Sequence, residues 1–323
     1  MDFKFITHDC VNPQFNIASE EYLLKYTDGY YVYLWRNSPA VIVGVNQNAF
    51  EEVNLEYVNQ NDVAVVRRMT GGGAVYHDLN NICYTVIAPF DSQADNYRVF
   101  TLPVIKYLNS LGVKAEFSGR NDITVDGKKI SGNAQTVYNG KIMHHGTILF
   151  NSDLSAVSNA LKPNQLKMKS KGIKSVRARV TNVCESLPSK ISVEEFFLGL
   201  KKALSKGLEK MSFSNDDLQK INLLVKEKYS KFEWNMGHSP KGDNTFSQKF
   251  DFGVFTFNFS LNSGKIENPV ITGDFFSLKP IEDFAKTLVG LTFDYNCLSS
   301  AFCQVGEYIQ GADGVEIAKR LFS

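Results

Sequence analysis

Arg67-Arg68-Met69-Thr70-Gly71-Gly72-Gly73-Ala74-Val75-Tyr76-His77 joins the end of one apolar run, Val63-Ala64-Val65-Val66, to the start of another. A glycine loses more backbone freedom on folding than any other residue and buries no side chain. Three in a row therefore suit a place where backbone must come close to a neighbour. Two readings follow. Successive glycine N–H groups form a concave nest for an anion, with Arg67 and Arg68 adding positive charge. Alternatively the glycines make a tight turn between two strands and the arginines are surface charges.

Outward from this loop, Asp62 to Arg67 reads as the strand that delivers it, and Ala74 to His77 as an extended exit. Upstream, Asn16 to Tyr26 has helical spacing, with Ile17, Leu23 and Leu24 apolar and Glu20-Glu21 expected to face outward. Tyr30 to Trp35 and Ala40 to Val45 read as strands, and Glu51 to Gln60 as a short helix. Downstream, the spacing predicts a strand over Ile82 to Ala88, a helix over Asn96 to Leu111 and a strand over Val113 to Phe117. Asp126-Gly127 predicts a primed hairpin turn that sets Ile123 to Val125 against Lys129 to Ser131. A second turn at Asn139-Gly140 returns the chain along Ile142 to Phe150. Ser192 to Lys210 and Asp216 to Lys228 read as helices.

From Lys162 to Arg179 the chain is basic, small and polar, with no acidic residue. Such a run is either a solvated face or a loop that meets an anion. The periodicity breaks over Trp234 to Asn244, which divides the chain into residues 1–240 and a small α+β module at 245–323. The length of 323 residues suits two domains.

The composition, 43% hydrophobic and 21% charged, is that of a soluble globular protein. A net charge of +1 argues against a general nucleic-acid binder. The five cysteines, Cys10, Cys83, Cys184, Cys297 and Cys303, include no C-x-x-C pair, which fits a reducing compartment. With no leader-like N-terminus and no long uncharged apolar run, a cytoplasmic protein without a membrane span is expected, and a monomer.

The chain carries no Walker phosphate loop, nucleophile elbow or metal-binding H-E-x-x-H helix. The pair His144-His145 lies on a predicted strand, so its side chains point to opposite faces and cannot readily share one metal. What remains is a set of cationic and glycine-rich segments on neighbouring strands. Arg68 and the glycine N–H groups can take phosphate oxygens. Asp122, beside Asn121, can hold Mg²⁺, an ion that prefers oxygen ligands. Lys129 can contact both an attacking carboxylate and an α-phosphate. These parts suit adenylate formation, chemistry that rests on positioning and charge stabilisation. A solvated strand lysine is the plain alternative for Lys129.

Four segments resemble the lipoate–protein ligases in order and spacing. They are Arg67 to Asp78, Gly119-Arg120-Asn121-Asp122 with Lys129-Ile130-Ser131-Gly132, His144-His145-Gly146-Thr147, and Lys171 to Val180. Asn16 and Trp234-Asn235 add to the likeness, and Thr70 stands where many relatives have serine. The resemblance implies an α/β (α+β) catalytic domain of the biotin-ligase and class II synthetase type, with a small C-terminal accessory domain. It implies that ATP and lipoate give lipoyl-AMP, and that the lipoyl group then passes to a lysine of an acceptor. The acceptors implied are lipoyl domains of 2-oxoacid dehydrogenase complexes or the glycine cleavage H protein.

By that resemblance the ligand-binding residues are Arg68, Gly71, Gly72, Gly73, Ala74, Val75, Tyr76, His77, Asn121, Asp122, Lys129, His145, Gly146 and Thr147. Lys129 is the catalytic residue and Asp122 the Mg²⁺ ligand. Lys171 and Arg177 belong to a loop that closes over the adenylate. Tyr33, Trp35, Val43, Val75 and Tyr84 are candidates for the wall around the acyl tail. Two other readings stand beside it. One is an ATP-independent acyl transferase with Cys83 or Cys184 as nucleophile. The other is a non-catalytic lipoate or nucleotide sensor.

Overall fold

The computed structural model describes residues 2–162, 179–237 and 243–322. Among the described residues eleven strands build the larger part: β1 (Phe3–Thr7), β2 (Tyr30–Arg36), β3 (Ala40–Val43), β4 (Ala64–Arg67), β5 (Val75–His77), β6 (Asn81–Pro89), β7 (Ala115–Ser118), β8 (Asp122–Val125), β9 (Lys128–Tyr138), β10 (Lys141–Leu149) and β11 (Glu209–Met211). Eight of them form one sheet in the order β11-β1-β2-β6-β10-β9-β8-β7, and a second sheet runs β4-β3-β5. Both glycine-containing hairpin turns expected from sequence are present. Asp126 and Gly127, and likewise Asn139 and Gly140, all have positive φ, the geometry of the primed turn.

Four helices cover this part first: α1 (Pro13–Lys25), α2 (Ala49–Glu52), α3 (Leu55–Gln60) and α4 (Asn96–Ser110). The large sheet buries both faces. On one face Val104, Ile105 and Leu108 of α4 pack with Ile123, Ile130 and Phe196. On the other, Ile17, Leu23 and Leu24 of α1 pack with Tyr33, Trp35, Cys83 and Ile42, which brings the small sheet over the large one. The side chain of Asn12 caps α1 by accepting from the Phe15 N–H at 3.1 Å.

Two expectations are corrected. Glu20 and Glu21 do not face outward; they are 1% and 3% exposed. Helix α1 is enclosed on all sides, and each carboxylate has partners: buried His145 and Thr85 for Glu20, and buried Tyr229 with half-buried Lys228 and Lys25 for Glu21. The helix expected over Ser192 to Lys210 stops at Leu204, and Glu209–Met211 becomes the edge strand β11 beside β1. Gly207, at φ +78°, turns the chain out of the helix.

The smaller C-terminal part is an antiparallel sheet, β12 (Asn244–Phe250), β13 (Gly253–Asn262) and β14 (Lys265–Gly273), with helices over Ile281–Thr287, Tyr295–Phe302 and Gly314–Leu321. Its core is rich in phenylalanine, with Phe255, Phe257, Phe275, Phe284 and Phe302 fully buried. Strand β12 falls in a polar stretch with little apolar pattern. It is held instead by ladder bonds to β13 and by the side-chain pairs Thr245–Asn258 and Ser247–Thr256, each 2.7 Å. The two parts meet at the glycine loop. The Gly273 N–H donates to the Asn46 carbonyl at 2.8 Å, and Arg120 Nη1 donates to the Phe252 carbonyl at 3.2 Å. The Arg120 guanidinium also lies 4.5 Å from the centre of the Phe276 ring. The whole is mixed α/β with a small α+β C-terminal unit, the class expected from the sequence.

Candidate active site

The two arginines that open the loop part company. Arg67, 1% exposed, turns away from the glycines. Its guanidinium donates to the carbonyls of Gly44, Val45, Gln47, Trp234 and Asn235 at 2.6–3.1 Å. Arg68 turns toward them and is 5% exposed. It donates to Thr70 Oγ1 at 2.9 Å and to the carbonyls of Ile42, Gly71 and Gly73 at 3.0, 2.6 and 2.9 Å. Burial lowers both guanidinium pKa values to about 10, so both remain cations at neutral pH.

The glycines answer to different neighbours. A Cβ on Gly71 would overlap the carbonyl oxygen of Phe275, just beyond the last strand of the accessory sheet. Gly72 has φ +87° and its N–H points at that same carbonyl at 3.4 Å. Its own carbonyl sits where a side chain on Gly44 would go. The triplet is therefore a close-packed loop between sheets and domains, not a free hairpin.

Beneath the loop, between the two sheets, lies a cavity of about 160 Å³. Its walls include Arg68, Gly72, Gly73, Ala74, Val75, His77, Asn121, Lys129, His145, Gly146 and Thr147. Gly71 stands just behind, against Phe275. Tyr76 faces the other way and packs with Val41, Val58 and Ala156, because side chains alternate along a strand. Lys171 and Arg177 lie outside the described residues. Of the tail-wall candidates, Trp35 and Val75 line the cavity, while Tyr33, Val43 and Tyr84 are buried beside it. Ile17, Ile42, Cys83, Gly132, Asn133 and Ala134 also line it. Gly132 belongs to the segment quoted with Lys129 and Cys83 is a candidate thiol named from sequence, while the other four carry no sequence signal beyond their place on α1 and the strands.

Strand register gives the cavity a direction. Trp35 pairs with Cys83, Cys83 with Thr147, and Gly132 with Asp122. The Gly132 N–H donates to Thr147 Oγ1 at 3.4 Å and closes the row. Crossing three strand spacings takes roughly 14 Å from the Gly132 end to the Trp35 end. Lys129 Nζ lies 2.7 Å from Asp122 Oδ1, both side chains about one-third exposed. A Cβ on Gly132 would lie 2.8 Å from that Nζ, so the lysine rests across the bare glycine. The Thr181 N–H donates to the Lys129 carbonyl at 3.0 Å, so the chain leaving the basic segment rejoins the fold at Lys129. One end of the cavity is thus cationic and half-open; the other is apolar and closed.

Among the described residues no three His, Cys, Asp or Glu side chains converge as a metal cage. Asp122 offers one carboxylate at the cavity mouth. That donor set fits Mg²⁺, which keeps waters and takes other ligands from substrate phosphates. His145, on the cavity face of β10, has Nδ1 2.9 Å from Glu20 Oε1 and Nε2 2.7 Å from Thr70 Oγ1. His144 points to the opposite face, against Tyr97 and Phe100. Burial, with Arg68 and His145 adding to the effect, lowers His77 to about 3; burial, with His145 adding to it, lowers His144 to about 3.

These two histidines give a pH signature. Unfolded, each takes a proton as pH falls through about 6.5; folded, neither does until about 3. The unfolded state therefore binds more protons, and stability falls as pH drops from 6.5. Each histidine contributes a loss of about 2 kcal/mol by pH 5. The urea midpoint is expected to drop between pH 7 and 5 and to drop less in His144→Gln. Identical slopes for the two proteins would contradict the assignment to His144.

The lipoyl protein ligase A/B catalytic domain family matches residues 12–205, and the bacterial lipoate protein ligase C-terminus matches residues 239–321. The lipoate-protein ligase LplJ of Bacillus subtilis is 41% identical over 304 residues, 91% of this chain and 92% of that protein. The crystal structure of P. falciparum LipL1 in complex with lipoate is 26% identical, with a TM-score of 0.78 over 99% of each chain. A crystal structure of lipoate-protein ligase A bound with ATP is 28% identical, with a TM-score of 0.64 over 73% of this chain and 99% of that one. With this identity across almost the whole length, and both of the family's domains in order, the chain belongs to the lipoate–protein ligase family.

Proposed function

We propose that this enzyme is an ATP-dependent lipoate–protein ligase. Residues 1–240 carry adenylation and transfer, and residues 245–323 form an accessory domain. The observation that carries the reading is the polarised cavity, cationic at Lys129 and Arg68 and apolar at Trp35, Val75 and Cys83. Lipoate is laid along the strand row with its tail toward Trp35 and its carboxylate toward Lys129. The nucleotide then lies over the mouth, near the glycine amides and Asn121.

A carboxylate oxygen attacks the α-phosphorus, the bond to the bridging oxygen breaks, and pyrophosphate leaves. Lys129 bridges carboxylate and α-phosphate, which draws two anions together and offsets charge in the transition state. Mg²⁺, held by Asp122, would supply further neutralisation of phosphate charge. In the second step an acceptor lysine amine attacks the acyl carbonyl and AMP leaves. The acceptors are lipoyl domains of 2-oxoacid dehydrogenase subunits or the glycine cleavage H protein, and the working compartment is the cytoplasm. Among the described residues no helix is long and apolar enough to cross a membrane.

Mass spectrometry of acceptor domains incubated with enzyme, ATP and lipoate tests this reading. Modification is expected with ATP and absent without it; modification that proceeds equally without ATP would refute it. Cys83 is the one thiol among the cavity walls of the described residues. Burial pushes it well above its ordinary pKa, with Glu20 adding to the effect, so it is a poor nucleophile. The Cys83→Ala/Cys184→Ala double variant is accordingly expected to retain ATP-dependent ligation within a few-fold, whereas a transferase that uses either thiol would lose acyl transfer.

A further inference from the structure

One buried carboxylate stands between the two ends of the cavity and lies outside its walls. Glu20, on α1, is 1% exposed. Its Oε1 and Oε2 lie 2.9 and 3.1 Å from His145 Nδ1. Thr85 Oγ1 donates to Oε1 at 2.5 Å. From His145 the chain continues to Thr70 at 2.7 Å and then to Arg68 Nε at 2.9 Å. From Thr85 it continues to the Trp35 indole N–H at 3.0 Å.

With a neutral His145 ring, the hydrogens in this chain have one arrangement. The Arg68 and Trp35 N–H groups can only donate, and an ionised carboxylate can only accept. Thr70 accepts from the Arg68 N–H and, facing a neutral ring, donates its own hydroxyl hydrogen to His145 Nε2. The ring therefore carries its hydrogen on Nδ1, which donates to Glu20. Thr85 takes the Trp35 hydrogen and donates its own to Glu20. Every donor in the two arms points toward this carboxylate. Burying an ion without such partners would cost several kcal/mol.

The arms end on opposite walls. Arg68 grips the carbonyls of Gly71 and Gly73, which fixes the loop whose amides meet the nucleotide. Trp35 lines the apolar end. We propose that Glu20 is a positioning residue that holds the nucleotide loop and the acyl-tail wall as one unit, through His145–Thr70 on one side and Thr85 on the other. The proposal rests on the ligase reading for its kinetic consequences.

Thr70 and Thr85 are both absent from the cavity walls, so replacing them with the similarly shaped valine removes links without touching substrate. In lipoate-dependent ATP–pyrophosphate exchange, Thr70→Val is expected to raise mainly the KM for ATP. Thr85→Val should raise mainly the KM for lipoate, and Glu20→Met, which has no acceptor oxygen, both. The Thr70→Val/Thr85→Val pair should lose clearly less in kcat/KM than the product of the single losses, as members of one unit do. Multiplicative losses would overturn the proposal, as would a fall in melting temperature with both KM values unchanged.

A second readout does not need the reaction. The ¹⁵N spectrum of histidine-labelled enzyme should show His145 as the Nδ1–H tautomer in wild type, and that signature should vanish in Glu20→Met, which offers the ring no acceptor oxygen. The opposite tautomer in wild type would overturn the proposal. Absence of lipoate-dependent exchange in wild type would instead refute the ligase reading, and the tautomer would still judge the chain.

Discussion

Lys129→Ala is expected to lower lipoate-dependent ATP–pyrophosphate exchange by about a hundred- to thousandfold, the usual result of deleting a preorganised charge partner. Lys129 sits on β9 at the end of the strand row, with its ammonium 2.7 Å from Asp122. Its stem crosses Gly132, where a Cβ would come within 2.9 Å of Cε. Side chain, carboxylate and bare glycine together set where the ammonium stands before any substrate arrives. The lysine is partly exposed and outside the main cores, so its removal should leave the unfolding midpoint close to wild type. An alanine variant with near wild-type exchange would remove Lys129 from the chemistry and return it to a solvated strand position.

Arg67→Met is expected to cost more than about 3 kcal/mol of stability, the range found when a buried charged donor is removed from partners that stay buried. The methionine fills much of the volume but leaves the carbonyls of Gly44, Val45, Gln47, Trp234 and Asn235 without their donor. The same loop hands its Asn46 carbonyl to the accessory sheet. The loss should therefore spread to the domain contact. Urea unfolding followed by tryptophan fluorescence reads the effect directly, since Trp234 donates its indole N–H to the Arg67 carbonyl. A shift below about 1 kcal/mol would show that water replaces the guanidinium at little cost.

These two expectations mark how far the sequence could be read. The hairpin at Asp126-Gly127 and the lysine beyond it were legible, because turn chemistry fixes register locally. The glycine triplet was legible as a close approach, but not what it approaches: the Phe275 carbonyl comes from more than two hundred residues away. Arg67 and Arg68 are chemically alike and adjacent, so sequence offered no way to see that one braces the 44–47 loop and the other the glycines. Glu20 was misread for a related reason. On a helix with apolar neighbours, a carboxylate is outward by default, and only the arrival of β10 and β6 gives it His145 and Thr85. The basic segment was legible as charge alone, and most of it lies outside the described residues.

The manner in which Arg68 is held has an electrical consequence. Its contacts are a hydroxyl and three backbone carbonyls, which are dipoles and not counter-ions. They solvate the cation without cancelling it, as water would, and Glu20 stands two hydrogen-bonded residues away. Lys129, by contrast, shares its charge with Asp122 where solvent and salt can reach both. Dissolved ions screen exposed charges over about 10 Å at 0.1 M salt but act far less on buried ones. The candidate active site therefore offers an anion two cations of different character. The one at the rim fades as ionic strength rises, and the one beneath the glycine loop keeps its pull.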